Sequence, residues 1–149
     1  MRKLLALFFL LVGVAALPLA AQAAETAEPA KKGKLVFVAT TGLEDIGTLS
    51  SSFRHALGAT KSKHLSDVVW LAYGRSVVAL DPSVSAVPES VRAHARAAKE
   101  GGVRMVACGQ ALKKFDIDPK KTSPQVAVVP NGIDELARLV AEGYQIIRY

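Results

Sequence analysis

The chain has 149 residues, half of them hydrophobic, with 19 Lys and Arg against 13 Asp and Glu, a formal net charge of +6, and a single cysteine. That length supports one domain with a real core. A lone cysteine excludes an internal disulfide, and mild basicity with few aromatics and no continuous basic stripe argues against nucleic acid as a partner.

Arg2 and Lys3 precede an apolar run from Leu4 to Leu17, and Ala21-Gln22-Ala23 follows as a small-x-small site. This is the pattern of a secretory signal peptide (residues 1–23), with cleavage expected after Ala23; the apolar run is short for a membrane span. Its removal lowers the formal charge from +6 to +4 and leaves no membrane span. The expected location is the periplasm or the medium. Ala24 to Gly33, polar and alanine-rich, reads as a disordered linker to a single domain over 34–149.

Lys34 to Thr40 is a near-continuous apolar run, as expected of a strand covered on both faces. Thr41-Gly-Leu-Glu44 matches a capping box, and Ile46, Leu49, Phe53 and Leu57 continue at helical spacing to Gly58. Asp67 to Tyr73 is a second buried strand, ended by Gly74. Ser76 to Leu80 is compatible with a short helix or a strand, and its lack of clean alternation favours the helix; Pro82 to Pro88 reads as a loop. Pro88 to Gly101 is a helix with Val91, His94 or Ala95, and Ala98 on one face.

Val103 to Cys108 is the third strand, followed by a short helix over Gln110 to Phe115 and a polar loop from Asp116. Gln125 to Val129 is the fourth strand. Asn131-Gly132 opens a helix whose expected core face is Ile133, Leu136, Ala137 and Val140, and Tyr144 to Tyr149 is the last strand. Strands alternating with helices predict an α/β three-layer sandwich: a mostly parallel sheet of about five strands with helices on both faces.

In such sheets the reactive crevice lies outside the carboxyl ends of the strands. The loops Thr40 to Asp45, Tyr73 to Ser76 and Cys108 to Gln110 should therefore gather there. Cys108, at a strand end facing a helix start, is the candidate catalytic residue, because backbone N–H groups there can stabilise a thiolate. Free cysteine is also among the most buried residue types, so a space-filling role stands beside the reactive one. Gly109 and Gln110 are expected to bind substrate from the same turn. Lys113 and Arg75 are expected to attract an anionic one.

Gly42 to Thr48 mimics the glycine spacing of a phosphate loop but lacks the lysine, and Glu44 and Asp45 would repel phosphates. His55, His64 and His94 have no metal-ligand spacing, so no metal and no cofactor is expected. A histidine acting as base for Cys108 would have to come from the fold.

Three segments carry a family likeness: Val103-Arg-Met-Val-Ala-Cys-Gly-Gln-Ala-Leu-Lys113, Val128-Val-Pro-Asn-Gly-Ile-Asp-Glu-Leu136 and Glu142-Gly-Tyr-Gln-Ile-Ile-Arg148. In these the chain resembles the DsrE/DsrF-like family, particularly its exported members and the sulfur-relay domain of TusD type. The likeness spans Lys34 to Tyr149 and is strongest from Gly101. It implies a flavodoxin-like sandwich that forms homotrimers or hexamers. It also implies that the cysteine at the position of Cys108 carries a persulfide between a sulfur donor and an acceptor protein. The export signal departs from the best-known relay members, which are cytoplasmic. The alternative is a non-catalytic oligomeric binding or assembly module with a structural cysteine.

Overall fold

The computed structural model describes residues 31–149; the segments expected from sequence to be a signal peptide and linker, up to Ala30, lie outside the described residues. Five strands form one sheet: β1 (Gly33–Ala39), β2 (Leu65–Ala72), β3 (Arg104–Cys108), β4 (Ala127–Val129) and β5 (Tyr144–Arg148). Their order is β4-β3-β2-β1-β5 and every pairing is parallel. Four helices connect them: α1 (Ile46–Thr60), α2 (Glu89–Glu100), α3 (Gly109–Lys114) and α4 (Gly132–Ala141).

The order of strands fixes which face each helix covers. β1, β2, β3 and β4 step across the sheet in one direction, so right-handed crossovers place their helices on one face. The chain then returns from β4 to the opposite edge, and the same handedness carries α4 over the other face.

Strand alternation bears this out. Phe37, Val68, Trp70 and Met105 point towards Leu49 and Phe53 of α1, Val91 and Ala95 of α2, and Leu112 of α3, building the larger core. Val36, Val38, Val69, Leu71 and Val106 point the other way, against Leu139 of α4 and Tyr144. The expected α/β sandwich, with a parallel sheet and helices on both faces, is the fold observed.

Local details depart from the sequence reading. The cap of α1 is not Thr41-x-x-Glu44. Asp45 accepts from the Thr48 amide at 2.9 Å and from the Thr48 hydroxyl at 2.6 Å, and Leu43–Asp45 forms a single 3₁₀ turn before it. The short helix after β2 spans Gly74–Leu80 and is 3₁₀. It begins on Gly74 at φ +68, a left-handed conformation that glycine adopts without strain. The loop after α3 contains another 3₁₀ turn, Pro119–Lys121.

The largest correction concerns α4. Its buried stripe is Gly132, Glu135 and Leu139, while Ile133 and Val140, two residues of the expected core face, are 56% and 47% exposed. Asn131 caps the helix by accepting from the Ile133 and Asp134 amides, and Gly132 packs directly on the strand ends. Those two contacts fix the rotation of α4 and leave its most apolar side outward.

Candidate functional site

The strand order creates one place where successive connections leave to opposite faces. After β3 the chain turns into α3 on the larger-core side; after β4, the neighbour of β3, it turns into α4 on the other. In open α/β sheets the crevice at such a switch point is where ligands bind. Cys108, the last residue of β3, stands at that point and pairs with Val129, the last residue of β4.

Close backbone approaches shape the crevice. A Cβ on Gly109 would stand 3.1 Å from the Val129 carbonyl oxygen, so the turn from β3 into α3 needs the bare Cα to pass β4. A Cβ on Gly132 would stand 3.0 Å from Cys108 Cβ and 3.5 Å from its Sγ, so the first turn of α4 lies against the thiol. Cys108 is 6% exposed and free.

A cavity of about 220 Å³ opens beside it. Tyr73 and Gly74 line it from the end of β2, Gln110, Ala111 and Lys114 from α3, and Asn131, Gly132 and Ile133 from the start of α4. Beside the thiol, the polar side chains of the lining are therefore the Lys114 ammonium, the Gln110 and Asn131 amides and the Tyr73 phenol. The Asn131 side-chain oxygen is committed to the α4 cap, which leaves its NH₂ as a donor. Such a lining suits a small anion held near a sulfur nucleophile.

The expected site residues separate into three places. Cys108 and Gln110 share this cavity. Gly109 and Lys113 line a neighbouring cavity of about 350 Å³ with Asp116, Ile117, Asp118 and Pro119. Arg75 lies on the next loop, but its guanidinium turns to Glu44 at 3.5 Å and is largely exposed. The Gly42 and Glu44 amides, and then Arg75, hold the Glu44 carboxyl below its ordinary value.

Tyr73 lies at the crevice as its loop was expected to, and of the two lysines that follow the thiol it is Lys114 that lines the cavity; Asn131 and Gly132 were not anticipated there. Lys114 follows Lys113 by one residue, and on so short a helix the sequence could not say which of the two faces the thiol. Asn131-Gly132 was legible as a helix start, but its nearness to Cys108 depends on β4 lying beside β3.

None of the three histidines borders the cavity. His94 Nδ1 is 2.8 Å from Ser50 Oγ, His55 is paired with the Tyr149 hydroxyl, and His64 sits in the exposed turn before β2. A Cys–His dyad is thus not formed. Among the described residues no group of three or more His, Cys, Asp or Glu could hold a metal ion. No described helix is long and apolar enough to cross a membrane.

Comparison with known proteins agrees with this geometry. The model of the DsrE/DsrF-like family matches residues 33–149. Protein MTH1491 of Methanobacterium thermoautotrophicum, a protein of unknown function, superposes with a TM-score of 0.62 at 22% identity, covering 79% of this chain and 100% of that one. The ychN protein of E. coli gives 0.65 at 16% identity, covering 78% and 99%. BT1422 of Bacteroides thetaiotaomicron, also of unknown function, gives 0.61 at 21% identity, covering 78% and 94%. At these identities the likeness is one of fold. No curated protein matches the chain.

Proposed function

The chain belongs to the DsrE/DsrF-like family, and on that premise we propose that it takes up sulfane sulfur on Cys108 and passes it on as a persulfide. The observation that carries this reading is the position of Cys108 at the switch point of the sheet, with a cavity beside it that holds Lys114 and two amides. The Cys108 thiolate attacks the sulfane sulfur of a donor. The donor's S–S bond breaks, its remainder leaves with the electron pair, and Cys108 holds the outer sulfur. An acceptor thiolate then attacks that outer sulfur and releases the Cys108 thiolate. With one cysteine per chain, no internal thiol can resolve the persulfide, so the acceptor is another molecule.

We place this activity outside the cytoplasm, on the strength of the signal-peptide pattern in residues 1–23. We also propose that the protein is a homo-oligomer. The outward side of α4 supports this, since Ile133 and Val140 on one helix face are half exposed and Ile146 of β5 is 44% exposed.

Intact-mass measurement of the reduced protein after thiosulfate or polysulfide tests the sulfur chemistry. The expected result is an addition of about 32 Da, one sulfur atom, absent from Cys108→Ser. A reduced protein that takes no sulfur from either donor would overturn it. A second reading has its own support: Cys108 is 6% exposed and joins the main hydrophobic cluster, as a structural cysteine in an assembly module would. Thiol labelling of the native protein decides between them. Modification without denaturant favours the carrier, and modification only after unfolding favours the module.

A further inference from the structure

The wall of the cavity that lies closest to the thiol is the first turn of α4, and two of its residues explain how it is held there. Gly132 approaches so near that a Cβ would stand 3.0 Å from Cys108 Cβ and 3.1 Å from Tyr73 Cβ. Both distances are tighter than side chains ordinarily pack, so a larger residue would require α4 or the strand ends to move. Three residues on, the carboxylate of Glu135 is only 10% exposed. It accepts from Arg138 Nε at 2.8 Å and Nη2 at 2.7 Å, and lies 3.9 Å from Arg104 Nη1.

These contacts line up. Arg104 and Cys108 are the two ends of β3, four residues apart; Gly132 of α4 lies against Cys108 and Glu135 of α4 faces Arg104. Gly132 and Glu135 are neighbours on the buried side of α4. The helix is therefore seated on β3 twice, by close packing at the thiol and by ionic attraction at the far end of the strand. Neutralising Glu135 would leave a buried polar group facing Arg104 without its charge, and the second seat would weaken.

We propose that Gly132 and Glu135 are positioning residues of the Cys108 site: their seating of α4 on β3 sets the aperture above the thiol and limits it to small sulfur donors. This rests on the reading that Cys108 takes up sulfur. The donors admitted are low-molecular-mass anions with a terminal sulfane sulfur, such as thiosulfate. In that case the thiolate takes the outer sulfur and sulfite leaves with the electron pair of the broken S–S bond. The cavity of about 220 Å³ falls below the roughly 300–1,000 Å³ of sites for drug-sized ligands.

Alkylation rates of the native protein by iodoacetamide and by a fluorescein maleimide, each normalised to free cysteine, measure the aperture directly. In the wild type the ratio should favour iodoacetamide strongly. Glu135→Gln should lower that ratio several-fold by admitting the bulky reagent, with the iodoacetamide rate little changed. Gly132→Ala should slow iodoacetamide by about tenfold, less than the hundredfold that a misplacement of about 1 Å can cause.

A purely structural role would lower the melting temperature of both variants and leave the ratio where it was. Should Glu135→Gln fail to fold, Arg104→Gln, which removes the charge that faces Glu135, is expected to move the ratio the same way. A wild type that reacts with both reagents alike, or a ratio unmoved in the folded variants, overturns the proposal. The thiosulfate mass shift separates this from the parent reading. Sulfur uptake with an unmoved ratio sinks the seat alone; size selection without uptake sinks the persulfide and leaves the seat standing.

Discussion

Ser52 and Trp70 show how much one hydroxyl can hold. Both are fully buried; Trp70 Nε1 donates to Ser52 Oγ at 2.9 Å, and Ser52 donates in turn to the Leu49 carbonyl at 2.7 Å. Among the described residues no buried side-chain nitrogen or oxygen lacks a partner, so the larger core is fully satisfied. Ser52→Ala would strand the indole N–H, at a cost of about 1–3 kcal/mol. Chemical denaturation should show that loss, and Trp70→Phe placed on Ser52→Ala should not add the full cost of Trp70→Phe alone. Strict additivity would mean that the bond contributes nothing. Cys108→Ser is expected to differ in kind: a hydroxyl left without a partner at the rim of the same cluster costs about 1–3 kcal/mol, and the substitution abolishes sulfur uptake.

At the scale of elements, α4 and β5 are tied to the sheet by a polar cluster at the end of the strands opposite Cys108. Lys34 of β1 pairs in register with both Asp67 of β2 and Tyr144 of β5, and the Tyr144 hydroxyl reaches across β1 to donate to the Asp67 carboxylate. Arg104 of β3 donates to both, at 3.2 Å to Asp67 and 3.0 Å to Tyr144. Partial burial pushes Asp67 up, but the hydrogen bonds from Tyr144 and Arg104 outweigh it and bring its carboxyl below the ordinary value. Glu135 is lowered too, by the Arg138 hydrogen bonds against its burial and then by Arg104.

A carboxylate depressed in the folded state contributes stability that is present above its unfolded pKa of about 4 and is lost as pH falls through the folded value. Tyr144→Phe removes one donor, so Asp67 should titrate at higher pH and acid unfolding should begin earlier. Carboxyl NMR titration of Asp67 in both proteins checks this; an unchanged titration would mean that the hydroxyl does not bear on the carboxylate. None of this cluster was legible in the sequence, because it joins residues from four elements whose adjacency depends on strand order. β1, β2 and β3 were legible because their central residues are apolar on both faces. β4 was drawn too long at Gln125–Val129, since an edge strand of three largely exposed residues carries little burial pattern. The rotation of α4 was misread because two of the three residues of its buried stripe are a glycine and a paired carboxylate, neither of which carries a hydrophobic signal.

The whole molecule is lopsided. One face of the sheet carries α1, α2 and α3 over a large core, and the other carries α4 over a small one. This asymmetry follows from topology: three crossovers run one way and one returns. Cys108 was identifiable from sequence as a strand-end thiol, but its place at the switch point was not, because strand order is a property of the assembled sheet. The same topology leaves the side of α4 with Ile133 and Val140, together with Ile146, facing solvent on the thinner layer. Apolar side chains grouped in this way mark a contact surface more often than a free one. Self-association there would also bring a second copy close to the mouth of the Cys108 cavity, since Ile133 lines it. Light scattering behind size exclusion should therefore give a mass at least twice that of one chain. Val140→Glu, which puts a charge into the contact without touching the cavity, should shift the protein to monomer with its circular dichroism unchanged. A wild type that runs as a monomer, or a Val140→Glu variant that keeps the wild-type mass, would remove α4 as the contact and leave the outward face of the helix unexplained.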